Sequence, residues 1–210
     1  VLGKQGQTLW QYANGRGDAF LQAQPAANKG YGNAVTTSRD VTDRAYACQV
    51  LLSLCETVGM RLRRDGQAGR CVAVQLRTSQ FETWSHQMLL GAASNVTGEL
   101  YQAACELFDQ MWDGKTPLRQ IGVQVTRLAD GRQRQCSLFD AADYARQEKL
   151  DTAVDALREK FGEGALFRAA LLHSEERMAG GLHKKRRTGI TKPVEDETAR
   201  IREKYGKKDS

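Results

Sequence analysis

Polar side chains alternate with apolar ones in two stretches of the sequence, and these are the residues best suited to chemistry. Gln75 and Arg77 alternate with apolar residues in the first stretch, and Gln120, Gln124 and Thr126 do so in the second. Guanidinium and amide groups donate hydrogen bonds to phosphate oxygens without reading bases. If the two stretches lie in one sheet, they form a polar face that either holds phosphates or is simply solvated.

A second candidate site is a short peptide in a predicted loop. Gln135 and Ser137 precede the apolar pair Leu138 and Phe139. Two adjacent apolar side chains are costly to expose in a loop. They therefore either bury themselves in the groove of a partner, with the glutamine fixing the orientation by hydrogen bonds, or cap the core of this protein. The residues alone leave both alternatives open.

Other chemistry has no support in the composition. The 210 residues include five cysteines and three histidines, with no CxxC pair and no spacing typical of zinc ligands. We predict no catalytic residue and no metal ligand, and we expect the cysteines to be buried in a reducing cytosol. No apolar run is long enough for a membrane helix. The net charge of +6 is only a weak indication of nucleic acid.

The elements that must position these residues follow from hydrophobic periodicity and turn signals. They are a strand over Asn33–Ser38, a helix over Asp43–Arg64, a hairpin of Arg70–Thr78 with Glu82–Leu90, a helix over Gly98–Trp112 and a strand over Leu118–Leu128. The order βαββαβ predicts an α+β fold: a four-stranded antiparallel sheet with two helices on one face and flanking helices. The opposite face, with Gln75, Arg77, Gln120, Gln124 and Thr126, stays open.

The rest of the chain divides by composition. We expect a helix and linker over residues 1–28, the βαββαβ domain over 29–129, a loop over 130–140 and helices over 141–172 (Ala142–Phe161 and Gly164–Leu172). Residues 173–210 form a basic, flexible tail with 11 basic and 7 acidic residues, which includes most of the net charge. Because the chain begins at Val1 rather than Met, we expect a fragment of a longer protein.

Several segments, in this order, resemble one family. They are Gly3-Lys4-Gln5-Gly6 with Leu9-Trp10, Val35-Thr36-Thr37 with Asp40-Val41-Thr42-Asp43, Val72–Arg77 with Phe81, Thr83 and Ser85, Pro117–Val123, Gln135–Phe139 and Lys149–Gly162. The chain resembles the C-terminal part of Y-family (translesion) DNA polymerases of bacteria, in the polymerase IV and V group. The resemblance covers about Gly3 to Leu172: the end of the thumb (residues 1–28), the little-finger domain (29–129), the clamp-binding loop (130–140) and the helices after that loop (141–172).

The resemblance implies that the open sheet face contacts primer–template phosphates through Gln75, Arg77, Gln120 and Gln124, with Ser79, Ser85, His86 and Arg119 as helpers. Strict alternation would turn Arg119 inward with Ile121, but strand ends often contain bulges. The resemblance also implies that Gln135, Ser137, Leu138 and Phe139 dock on the bacterial sliding clamp, although Cys136 stands where that pentapeptide usually has leucine.

The catalytic palm of the family precedes the thumb and is absent from this chain. The resemblance therefore implies no cofactor here, with Mg²⁺ in the palm of the parent enzyme, and a monomeric cytoplasmic protein. Two alternatives remain. An RNA-recognition-type βαββαβ module would need stacking aromatics on its central strands, where Trp84 is the only aromatic residue well inside the hairpin. A non-enzymatic clamp-binding adaptor would lack DNA affinity.

Overall fold

A computed structural model describes residues 3–17, 28–131 and 141–172. The predicted linker beyond residue 17, the clamp-binding peptide and the basic tail lie outside the described residues. The elements, in chain order, are α1 (Gly3–Ala13), β1 (Gly30–Val41), α2 (Arg44–Arg64), β2 (Gln67–Thr78), β3 (Thr83–Ser94), α3 (Thr97–Met111), β4 (Leu118–Asp130) and α4 (Ala141–Phe161), followed by 3-10 turns at Glu163–Ala165 and Ala169–Leu171.

The strands form one antiparallel sheet in the order β1-β4-β2-β3. In β2 the side chains of Val72, Val74 and Leu76 are fully buried, and they alternate with those of Ala73, Gln75 and Arg77, which are exposed or partly exposed. Period-two alternation puts the three buried side chains on one face of the sheet, and α2 and α3 cover that face. The predicted α+β fold, with two helices on one face of a four-stranded antiparallel sheet, is confirmed.

Helix α2 lies at the centre of the fold. Every residue from Val50 to Met60 is buried, including the polar Ser53, Glu56 and Thr57. An amphipathic helix on a sheet surface would leave its outer side in water. The outer side of α2 is covered instead by α4, which contacts it from the end of the chain. At α2, two layers of helix therefore lie on this face of the sheet: α2 against the sheet and α4 outside it.

Charged side chains attach α4 and the turns after it to α2. We call this cluster the ionic seam; its members are Glu56, Arg63, Asp151, Asp155, Arg158 and Arg168. Glu56 accepts hydrogen bonds from Arg158 at 3.0 Å and from Arg168 at 2.9 Å. Asp151 also accepts from the backbone N–H of Thr97 at 2.8 Å, which ties α4 to the start of α3. Buried charges are tolerated only when they are paired in this way.

The predicted second C-terminal helix, over Gly164–Leu172, is wrong. The segment forms two 3-10 turns instead of a helix. Gly162 ends α4 with φ of +95°, a conformation that glycine adopts readily. The Leu166 carbonyl then accepts a hydrogen bond from Arg158 Nε at 2.8 Å, and Arg168 reaches back to the ionic seam. These tertiary contacts hold the segment against α2 and α4 in a non-helical conformation.

The first helix, α1, contains no buried residue. Its apolar side chains Leu9, Trp10 and Tyr12 are each more than half exposed.

Within residues 3–17, 28–131 and 141–172, no helix combines the length and apolar character that crossing a membrane requires.

Candidate nucleic-acid interface

The sheet face opposite the helices brings together the polar residues of β2 and β4. Arg77 lies directly opposite Gln120, and Gln75 lies opposite Gly122. Gln124 is paired with Ala73 on one side and Gly32 of β1 on the other. Directly opposed residues of an antiparallel pair share a face. The predicted polar residues therefore do form one surface, which we call the open face.

The open face is hollow at its middle. A depression of about 730 Å³ lies across the four strands. Gly32, Ala34, Ala73 and Gly122 contribute little or no side chain there, while amides and hydroxyls stand around them. A Cβ added at Gly122 would lie 3.1 Å from Cβ of Ala34, so a larger residue would require Ala34 to shift by a few tenths of an ångström. The hollow can receive a convex, polar ligand.

Arg77 supplies the positive charge of the open face. Its Nε donates to Oγ1 of Thr83 across the hairpin at 2.9 Å, which fixes the guanidinium at the rim. Within the described part of the chain, no carboxylate forms an ion pair with Arg77. The strand register places no Asp or Glu beside it on this face. An unpaired cation among amide donors suits a phosphate oxygen.

The predicted helper residues divide between two surfaces. Ser85 lies opposite Gln75 and belongs to the open face. His86 lies opposite the buried Val74, so it is on the helix side of the edge strand β3, where it is exposed beside Trp84. Ser79 lies in the hairpin turn and donates to Oε1 of Gln80 at 3.2 Å. The side chain of His86 therefore points away from the open-face side chains, although the residue is among those that line the depression at the middle of that face.

Arg119 lies at a bulge, as expected at a strand end. In β2, Thr78 pairs with Leu118 and the adjacent Arg77 pairs with Gln120. Arg119, between these two partners, is therefore an extra residue of β4. The bulge releases Arg119 from the inward orientation that strict alternation predicts. Its guanidinium donates to the Ser38 carbonyl at 3.3 Å and lies 3.7 Å from an Asp40 oxygen. Arg119 is thus partly neutralised at one end of the sheet.

Sequence reasoning missed two polar members of the open face on β3. Thr83 lies opposite Arg77, and Gln87 lies opposite Ala73. The Cys71 thiol donates to Oε1 of Gln87 at 3.6 Å, which orients the amide over the sheet. Counting by twos from Ser85 would have selected Thr83 and Gln87 rather than the adjacent His86.

The predicted clamp-binding residues Gln135, Ser137, Leu138 and Phe139 lie outside the described residues. The chain that leads into and out of this segment is well anchored. Gly131 donates its N–H to the Gly66 carbonyl at 2.9 Å. On the other side, the Tyr144 hydroxyl in α4 donates to Oδ1 of Asn95 at 3.2 Å.

Comparison with known proteins defines the class of this fold. Residues 28–138 match the model of the impB/mucB/samB family C-terminal domain. This match covers more than half of the chain. The chain belongs to the impB/mucB/samB family, and the resemblance to the C-terminal part of Y-family DNA polymerases is confirmed. Its βαββαβ unit is the little-finger domain of that family.

Among individual proteins, the chain is similar to bacterial DNA polymerases IV. It is 36% identical over 172 residues to the enzyme of Clostridium acetobutylicum, covering 82% of this chain and 43% of the relative. It is 35% identical over 181 residues to that of Acetivibrio thermocellus, covering 81% of this chain and 44% of the relative. The chain thus spans less than half the length of these curated relatives.

Among solved structures, the chain is similar to a complex of the beta-clamp processivity factor and the little finger domain of PolIV. The sequence identity is 20% and the TM-score is 0.40. The match covers 52% of this chain and 97% of that one.

Proposed function

We propose that this chain is the DNA-holding region of a translesion DNA polymerase, and that its open face contacts the backbone of primer–template DNA without sequence preference. The observation that carries the proposal is that Arg77, which has no carboxylate partner among the described residues, lies on a concave sheet face of amides, hydroxyls and small residues. Phosphate contacts position a protein on a duplex and carry no sequence information. A polymerase that copies damaged templates needs this kind of contact.

The RNA-recognition alternative is less well supported. Such a module stacks bases on aromatic side chains of its central strands. The central strands here are β2 and β4, and their open-face positions hold glutamine, arginine, threonine and small residues. Trp84 packs against the core on the helix side. Phosphate contact therefore fits the open face better than base stacking.

Two isosteric substitutions test the DNA-binding proposal. Gln124→Glu places a negative charge on the open face, and Gln102→Glu places the same charge on the exposed side of α3. At low salt, we expect Gln124→Glu to weaken primer–template affinity about five-fold or more through repulsion of nearby phosphates. Gln102→Glu should stay within about two-fold of the parent chain. Fluorescence anisotropy measures both.

The two variants together decide whether the open face contacts DNA. Equal weakening by both substitutions would show that only net charge matters, and unchanged binding by both would remove the open face from the interface. Absence of any DNA affinity in the parent chain would favour the adaptor alternative.

The proposal extends to tethering on the sliding clamp through Gln135, Ser137, Leu138 and Phe139. Its support is the Gln-x-Ser-Leu-Phe sequence itself, placed between two anchored segments of the domain. Replacing both Leu138 and Phe139 with alanine should abolish clamp capture, because these side chains are the apolar anchors. Surface plasmon resonance on immobilised clamp measures this, and capture that persists would contradict the assignment.

Nucleotidyl transfer with Mg²⁺ belongs, on this proposal, to a palm domain of the parent enzyme.

A further inference from the structure

Two cysteines from different helices face each other on the side of the domain away from the open face. Cys48 lies on α2 and Cys105 lies on α3, and both are half-buried thiols. The Cys105 thiol donates a hydrogen bond to the sulfur of Cys48 over 3.8 Å. Both residues are partly exposed, so the pair differs from a contact within the closed core.

Charged and polar groups surround the two sulfurs. Arg44, one helical turn before Cys48, forms a two-point ion pair with Asp109, one turn after Cys105, at 2.6 and 2.7 Å. The hydroxyl of Tyr101, one turn before Cys105, completes the environment. The thiol pair therefore lies beside an ion pair that itself bridges α2 and α3.

This environment gives the two thiols different roles. The pKa of Cys48 is lowered to about 6, first because the Cys105 thiol donates to its sulfur and then because Arg44 is nearby and Tyr101 donates as well. The pKa of Cys105 is raised, because it is the donor in that hydrogen bond and because it is partly buried. Cys48 is thus the sulfur that more readily becomes a nucleophilic thiolate, and Cys105 is the one that more readily keeps its proton.

The cysteines elsewhere in the described ranges lack this arrangement. Cys55 is completely buried, and burial raises its pKa. Cys71 is buried in the sheet and donates to Gln87. Reactivity toward an oxidant depends on thiolate character together with access, and only the pair on α2 and α3 combines both among the described cysteines.

We propose that Cys48 and Cys105 form a peroxide-responsive dithiol that closes reversibly to a disulfide between α2 and α3. The Cys48 thiolate attacks one oxygen of hydrogen peroxide, the O–O bond breaks, and the departing hydroxide takes a proton from solvent to become water. The Cys105 sulfur then attacks the sulfur of the Cys48 sulfenic acid. The S–O bond breaks, and the hydroxyl leaves as a second water with the Cys105 proton. Two thiols lose two electrons, and peroxide gains them.

The geometry permits this closure with small movements. A disulfide requires an S–S separation of about 2.0 Å, so the sulfurs must approach each other from 3.8 Å. Rotation of two partly exposed side chains can supply such a shift, since neither residue is fully buried. The bond would fasten the two helices that cover the sheet, and it would leave the open face untouched.

Peptide mapping of the full chain after treatment with hydrogen peroxide tests the proposal. Under non-reducing conditions, mass spectrometry should find a Cys48–Cys105 cross-linked peptide that dithiothreitol reverses. Closing a loop of this length should also raise the midpoint temperature of unfolding by several degrees. Oxidation that gives no Cys48–Cys105 link, or that pairs either residue mainly with Cys136, would overturn the proposal.

Single substitutions separate the two roles. In Cys105→Ser, which cannot resolve the intermediate, a dimedone probe should label a sulfenic acid at Cys48. In Cys48→Ser the probe should not label Cys105 above the level of Cys71, and Cys71→Ser should still form the cross-link. Circular dichroism confirms that each variant is folded. Equal labelling of Cys48 and Cys71 in the Cys105→Ser chain would contradict the assignment.

Discussion

The open face and the ionic seam are both polar and both contain arginine, but they differ in pairing. In the seam, Arg63 has carboxylate partners at 3.2 and 2.7 Å and is 9% exposed. On the open face, Arg77 contacts a threonine hydroxyl and has no carboxylate partner in the described part of the chain. The charges of the ionic seam pair with one another and hold α4 against α2, whereas the charge of Arg77 on the open face is available to a ligand. Pairing, rather than residue type, separates a structural polar cluster from a candidate binding surface.

The largest expected effect is in the ionic seam. Glu56→Ala removes the acceptor shared by Arg158 and Arg168 and leaves a buried guanidinium without its carboxylate. Breaking a buried pair from one side costs about 3–5 kcal/mol. Urea unfolding followed by circular dichroism should show a loss of this size.

The exposed pair of Arg119 and Asp40 provides the control for the seam. Its atoms are 3.7 Å apart and both side chains are about 40% exposed, so Asp40→Ala should cost less than about 1 kcal/mol. If Glu56→Ala costs no more than Asp40→Ala, the seam does not hold the helices together.

Adjacent positions of β2 provide the next comparison. Leu76 is fully buried, whereas Gln75 is exposed on the open face. Leu76→Ala should lower the free energy of unfolding by about 2–5 kcal/mol because it leaves a cavity in the core. Gln75→Ala should change it by no more than about 0.5 kcal/mol. Thermal and urea unfolding measure both, and a large cost for Gln75→Ala would mean that the open face is part of the stabilising structure.

A smaller effect is expected from an exposed carboxylate that already has partners. Asp113, in the turn before β4, accepts hydrogen bonds from the backbone N–H groups of Thr116 and Lys115 and from the Thr116 hydroxyl. These bonds lower the pKa of Asp113 from 3.8 to about 2. A carboxyl whose pKa is lower in the folded state stabilises the fold above its unfolded pKa, and that stabilisation is lost as pH falls toward its folded value.

Asp113→Asn should therefore unfold at a lower urea concentration than the parent chain at neutral pH. The difference should be constant above pH 3.8 and shrink as the pH falls toward 2. Urea midpoints measured across this range test the prediction. A difference that does not depend on pH would assign the effect to something other than the charge of Asp113.

The sequence was sufficient for the sheet and its open face. In β2 the large apolar residues Val72, Val74 and Leu76 recur at every second position, which permits only one assignment of faces. The partner glutamines of β4 follow the same rule. In β3 the same rule puts Thr83, Ser85 and Gln87 on the open face and turns the side chain of His86 to the other side. Arg119 required a bulge, which alternation alone does not predict.

The covering of α2 could not be read from the local pattern. Glu56 looks like a surface residue within an amphipathic helix, because its partner Arg158 comes 102 residues later in the chain. The same long-range contacts convert the segment after Gly162 from the expected helix into 3-10 turns. The local periodicity of a helix predicts which of its faces packs on the sheet. It does not predict that a distant segment of the chain will cover the opposite face.

Salt titration of DNA binding tests most directly whether the open face holds a phosphate backbone. Affinity for a primer–template duplex should fall linearly with salt on logarithmic axes. Arg77→Ala should reduce the slope by about 1, while Arg64→Ala, which removes an exposed arginine from the end of α2, should leave it unchanged. Binding that is absent or independent of salt, or a slope that falls equally in both variants, would contradict the account.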